Sequence, residues 1–350
     1  MPEIELLVHF KIILLFPLIL LFGKEGLSQF YPDRQVDSLL TTGINSIINQ
    51  DYSVAQKTFQ DLDKEFPQLP LGKIYLTAVY ITKAFDYSEN FETDSIYKNL
   101  IEAKAQSEKL IKENNKNVWN EYFLALSDGF YAYFQALNKN WFSALSNGLS
   151  SVSDFEKCLD LDKNFYEAYT AIGTYKYWKS RKTEFINWLP FVPNEEEKGI
   201  SYIKNSIKHF TYNKYLAMNS LIWIYIEEKK YNDAIAIAKE ALTEFPNNRS
   251  FKWALARAYQ DINVNESIKI FYDLLNSYNK VRNINRCNKI VILHNLAQLY
   301  EKSGKVDMAL SLCNEILSIK NLSDYEKEKL NKRLIRVQKL QLELSQELSK

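Results

Sequence analysis

A pattern of about 34 residues recurs along this chain and limits its fold more than any other feature. It is clearest in residues 214–248, KYLAMNSLIWIYIEEKKYNDAIAIAKEALTEFPNN. Leu221, Ile222 and Tyr225 share one face of a first helix, and Ala234, Ala238 and Ala241 share one face of a second. Tyr231 stands near the bend, and Pro246 stops the second helix because proline lacks an N–H and its ring clashes with the preceding turn. Small residues let two helices approach closely, and aromatic side chains fill the space that remains. One such hairpin cannot bury its apolar faces alone, so several must stack.

The rest of the chain repeats this unit with varying fidelity. Gly43, Tyr52, Ala55, Phe59 and Pro67 in residues 37–67 hold the places of Ile222, Tyr231, Ala234, Ala238 and Pro246. Residues 290–321 repeat it through Leu296, Ala297, Tyr300, Gly304 and Ala309. Residues 164–210 and 249–282 match in part, and hairpins at 70–113 and 119–161 follow from periodicity and position. GFYAYF at 129–134 and GTYKYW at 173–178 resemble each other, each with a glycine where two helices must approach closely. With 9 Gly and 8 Pro in 350 residues, the chain is too poor in turn residues for an all-β fold and suits long helices.

These registers resemble the tetratricopeptide repeat (TPR), a helix–turn–helix unit. The resemblance implies an all-α, right-handed superhelical solenoid of about seven TPR-like helix hairpins. The repeat domain spans 29–323 and is interrupted by an insertion at 181–199. The charged amphipathic stretch 324–350, with Leu330, Leu334, Val337 and Leu340 in one stripe, reads as a helix capping the last repeat. In TPR proteins the first helices of successive hairpins line a concave groove. Carried onto this sequence, that groove would take Thr170, Thr174 and Tyr177 from one unit, then Asn219 and Trp223. Trp253, Arg257 and Gln260 would follow, then His294, Gln298 and Glu301. Trp188 and Phe191, in the proline-broken run WLPFVP of the insertion, would form a lip over the groove or a plug packed beneath it.

Residues 1–28 differ from the rest. Lys11 precedes the apolar run Ile12–Phe22, and Gly26-Leu27-Ser28 supplies small residues before a cut at Gln29. This is the layout of a signal peptide for export to the periplasm or beyond; the alternative is an uncleaved membrane anchor. Cys158, Cys287 and Cys313 are odd in number and far apart, so no disulfide framework is expected; Cys287 is expected in a polar segment. The three histidines, the cysteines and the acid runs form no catalytic or metal-binding motif, and no cofactor is implied. A formal charge of +1 without a basic run gives no support for a nucleic-acid partner. The expected function is a non-catalytic scaffold or adaptor binding a protein or peptide in the cell envelope. The alternative is an exported protein that binds a small ligand or glycan through an aromatic groove. The two differ in whether the groove is open or closed over.

Overall fold

The computed structural model describes residues 29–182, 194–209, 211–281 and 286–349. Trp188 and Phe191, most of the insertion and residues 1–28 lie outside the described residues. Within them the chain is all-α, and no strand occurs. The N-terminal half holds α1 (Arg34–Asn49), α2 (Tyr52–Glu65), α3 (Leu71–Tyr87), α4 (Thr93–Glu113), α5 (Val118–Leu137), α6 (Trp141–Leu161) and α7 (Tyr169–Lys182). Then come α8 (Glu196–Lys208), α9 (Lys214–Glu227), α10 (Tyr231–Glu244), α11 (Arg249–Tyr259), α12 (Val264–Asn279), α13 (Cys287–Lys302), α14 (Val306–Ser318) and α15 (Asp324–Leu348). Each helix packs mainly on the helices before and after it in the sequence, as a stack of hairpins requires.

Local chemistry sets the helix boundaries. Asp33 accepts hydrogen bonds from the amides of Gln35 and Val36 at the start of α1, and Asn117, Asn248 and Asn263 do likewise for α5, α11 and α12. Ser323 and Glu326 form a reciprocal capping box at the start of α15. Gln50, Ser88, Lys139, Lys229 and Gly304 all take positive φ at the turn that joins a first helix to its second. The same tight turn therefore recurs, and only at Gly304 does glycine relieve the crowding a side chain meets there.

Packing between helix pairs exchanges volume across facing positions. In the first unit a Cβ at Gly43 would lie 2.3 Å from the Phe59 ring. In the 214–248 unit the corresponding residues are Ile222 and Ala238, both fully buried. Large and small have changed sides between the two copies, and core volume is kept. At α7 and α8 two glycines meet: a Cβ on Gly173 would lie 2.6 Å from the carbonyl oxygen of Gly199. The tyrosine near each bend also links successive units, since Tyr52 donates to Asp86 at 3.0 Å and Tyr231 donates to Asp261 at 3.0 Å.

The stack coils back on itself. Asn248 donates to the Ile48 carbonyl at 2.6 Å, and the Arg249 amide donates to the Gln50 side chain at 3.2 Å. Arg249 also donates through Nε to Asp86 at 2.8 Å and pairs with it through Nη2. Tyr278 donates to Asp86 at 3.2 Å, Asn288 donates to the Asp86 carbonyl at 2.7 Å, and Tyr325 donates to the Glu89 carbonyl at 2.9 Å. Both charged groups of the Asp86–Arg249 pair are buried, and the guanidinium faces the rings of Tyr87 and Tyr278. The ends of α1 and α3 are thus fastened to α11, α12, α13 and α15.

Two cysteine expectations meet the structure. All three thiols are buried and none is in a disulfide. Cys287, expected in a polar segment, instead opens α13 and is buried against the apolar cluster around Leu293 and Leu330, because the helix begins one turn earlier than its apolar periodicity suggests. The stripe of α15 covers that cluster with Leu330, Val337, Leu340 and Leu344 buried and Leu334 partly so.

Candidate binding site

The return of the coil forms an apolar lumen that is partly open to solvent, where Leu216, Tyr133 and Phe85 are exposed, and the first helices of successive hairpins form most of its wall. One cavity of about 620 Å³ is lined by Ile44, Ile47 and Ile48 of α1 and by Tyr75, Ala78, Ile81 and Phe85 of α3. Leu126, Phe130 and Tyr133 of α5, Ala171 of α7, Leu216 and Asn219 of α9 and Phe251 of α11 also line it, with Thr82 and several tyrosines and amides among the rest. No charged side chain among the described residues lines this cavity. A second cavity of about 770 Å³ shares Leu126, Gly129, Phe155, Ala171, Asn213 and Leu216 with the first. It continues between α6 and α7 along Leu145, Leu149, Val152, Thr174, Tyr175 and Trp178. Each lies in the range of sites that take small organic ligands.

Polar groups on the wall of the first cavity are largely engaged within the protein. Asn248 uses both ends of its amide, on Ile48 and on the Phe251 amide. Gln50 accepts from Arg249, Asn219 accepts from Ser250, and Tyr52 donates to Asp86. Tyr212 and Tyr215 donate to Asp37 and Glu244. A ligand here meets hydrocarbon and ring faces, with few donors or acceptors left to satisfy a peptide backbone.

On the second cavity, beside the shared Asn213, Glu167 is fully buried. Its carboxyl accepts from the Tyr212 amide at 2.6 Å, from Asn213 at 2.9 Å and from the Tyr122 hydroxyl at 3.4 Å. No cation among the described residues pairs with it, and burial outweighs these hydrogen bonds to push its pKa up to about 8. Glu167 therefore keeps its proton near neutrality. The other charged residues on the second cavity are Lys179 and Lys182 at its rim. On the α7 wall the Thr174 hydroxyl is buried without a hydrogen-bond partner among the described residues, as is that of Tyr177.

The residues expected to line a groove are dispersed. Asn219 lies on the first cavity, and Thr170 and Thr174 lie on the second. Tyr177 is buried in the core with Ile203 and Leu221. Trp223 is 40 % exposed on α9 and belongs to neither cavity wall. Trp253 packs edge-on against Phe271 and donates to Tyr278 at 3.2 Å, within its own hairpin. Arg257 bonds Gln260 and pairs with Asp261, and Lys302 donates to the Gln260 carbonyl. His294 is buried, its Nδ1 2.9 Å from Arg333 of α15; burial and the charges of Arg333 and Arg336 lower its pKa to about 4. Gln298 is exposed on α13. The wall residues of α1, α3 and α5 were not anticipated. A signal for them is present in α3, whose apolar side chains run all round the helix, as in a helix covered on more than one side.

No family model matches the sequence, and no curated protein matches it. Solved structures do. The chain is similar to tetratricopeptide-repeat proteins. One is YrrB, described as a TPR protein with an unusual peptide-binding site: 12 % identity, 64 % of this chain and 97 % of that one, TM-score 0.42. Another is TTC0263, a thermophilic TPR protein from Thermus thermophilus, with 12 % identity over 64 % of this chain and 98 % of that one, TM-score 0.40. A third is human IFIT1, as a dimer with m7Gppp-AAAA: 14 % identity, 83 % of this chain and 64 % of that one, TM-score 0.44. The stack of helix hairpins, each packed on its neighbours in sequence, is that of a helical repeat.

Proposed function

We infer that this scaffold is a non-catalytic binding protein whose site is the lumen, and that its ligand is an amphiphile with a long apolar body and an anionic end. This is the small-ligand reading rather than the peptide-adaptor one. One observation carries it: the first cavity is walled mainly by aliphatic and aromatic side chains and has no charged residue among those described, while both ends of the Asn248 amide and the side-chain oxygens of Gln50 and Asn219 are already bonded within the protein. An extended peptide lodged there would leave backbone groups unsatisfied, at roughly 1–3 kcal/mol each. An alkyl chain loses nothing and gains about 0.8 kcal/mol per buried CH₂. The anionic end follows from Lys179 and Lys182 at the rim of the second cavity, with the unpartnered Thr174 hydroxyl on its wall. Export, signalled by residues 1–28, belongs to the same reading.

The test is a titration of the full chain with cis-parinaric acid, a polyene fatty acid that fluoresces in apolar surroundings. A saturable rise with one probe per chain is expected. Fluorescence that never saturates, or a single site displaced by a peptide but not by a saturated fatty acid, overturns the reading. Export is checked by mass spectrometry of the N-terminus from the native cell: a chain that starts at Gln29 is expected, and an intact Met1 or Pro2 refutes it.

A further inference from the structure

The first half of α6 presents an apolar face that nothing among the described residues covers. Phe142 is 92 % exposed, Trp141 67 % and Leu145 65 %, with Leu149 one turn further along. Trp141, Leu145 and Leu149 recur at four-residue spacing and so share one face of the helix. Leu145 and Leu149 also line the second cavity, so the exposed face and the lumen are one continuous apolar surface. Charge is arranged with the same polarity. Between Asp128 and Asp154 the sequence holds no Asp or Glu, and α7, which forms the facing wall, carries none either. The cations beside the face are Lys139 at the turn leading into α6, and Lys179 and Lys182 on the cavity rim.

We propose that this face seats on the surface of an anionic lipid bilayer, with Trp141 and Phe142 inserted at the headgroup level and the cavity mouth opening toward the lipid. The inference rests on the lumen reading, because an amphiphile that insoluble must be taken from or delivered to a lipid phase. Aromatic side chains at a turn suit the membrane–water interface. Lysines beside an anionic surface are attracted to it, and carboxylates on the same face would cancel that attraction.

The experiment places an NBD fluorophore on the full chain at Phe142→Cys and, as control, at Ile335→Cys on α15, an exposed position. The native thiols are buried, and burial raises their pKa, so labelling is directed to the introduced cysteine. Vesicles of phosphatidylcholine with about one third phosphatidylglycerol are then added. The N-terminal apolar run is present in both labelled chains, so the contrast between positions isolates the α6 face. A blue shift and brightening at position 142, absent at 335 and lost in Lys139→Glu/Lys182→Glu, is expected. No vesicle-dependent shift at 142 overturns the proposal, as does an equal shift at 335. So does a shift that follows protein concentration without vesicles, which would make the face a contact between copies. A chain that binds cis-parinaric acid while its 142 label ignores vesicles keeps the lumen and loses the membrane seat.

Discussion

Glu167→Gln tests whether a carboxyl is held uncharged on the wall of the second cavity. In the folded chain Glu167 titrates at about 8, against 4.5 for an unhindered glutamate. Between those values the folded state holds a proton that the unfolded state has released, so stability falls as pH rises through this window. Below it both states are protonated and the cost is absent; above it the cost is complete. At 1.36 kcal/mol for each pH unit of the window, the whole effect is on the order of 5 kcal/mol. Glutamine has the same shape, still accepts from the Tyr212 amide, and has no proton to lose. Urea unfolding of both proteins from about pH 5 to about pH 9 reads the effect as the difference between them. The variant should gain on the wild type by several kcal/mol as pH rises. A difference flat with pH would refute the reasoning. A wild type that gains on the variant at high pH would show a carboxylate stabilised as an anion in the fold.

Further outcomes follow from the coil and its packing. Arg249→Met leaves Asp86 buried with only tyrosine donors and should cost about 3–5 kcal/mol, while Asp86→Leu/Arg249→Met should recover most of that loss. Small-angle scattering should show the single variant expanded where the coil returns, and an unchanged profile with unchanged stability would deny the clasp its role. Gly173→Ala brings a methyl against the Gly199 carbonyl oxygen and should cost about 1–3 kcal/mol in urea unfolding; a neutral result would mean that α7 and α8 part without penalty.

The repeat was readable because a hairpin stack is built from contacts between neighbours in sequence. Tyr52, Ala55 and Pro67 keep the register of Tyr231, Ala234 and Pro246, and the helices form where that register puts them. The lumen was not readable in the same way. It exists because Asn248 reaches Ile48 and Arg249 reaches Asp86, across separations that no local pattern records. The same return explains the dispersal of the groove residues. His294 occupies a groove position in its own hairpin, yet Arg333 of the capping helix covers it. Trp253 turns into its hairpin to meet Phe271 and Tyr278. Asn219, Thr170 and Thr174 reach the cavities because their helices stand on the inner side of the returning coil.

The central claim is that the lumen, rather than an open groove past Trp223 and Trp253, is where the ligand sits. Ala171 lines both cavities, so Ala171→Trp places an indole where they meet and leaves the outer surface as it was. Binding of cis-parinaric acid to this variant, compared with Trp223→Ala/Trp253→Ala, tests the claim directly. Ala171→Trp should weaken binding at least about a hundredfold, some 2.8 kcal/mol, and the double variant should bind as the wild type does. Full binding by Ala171→Trp, with loss in the tryptophan variant, would contradict it.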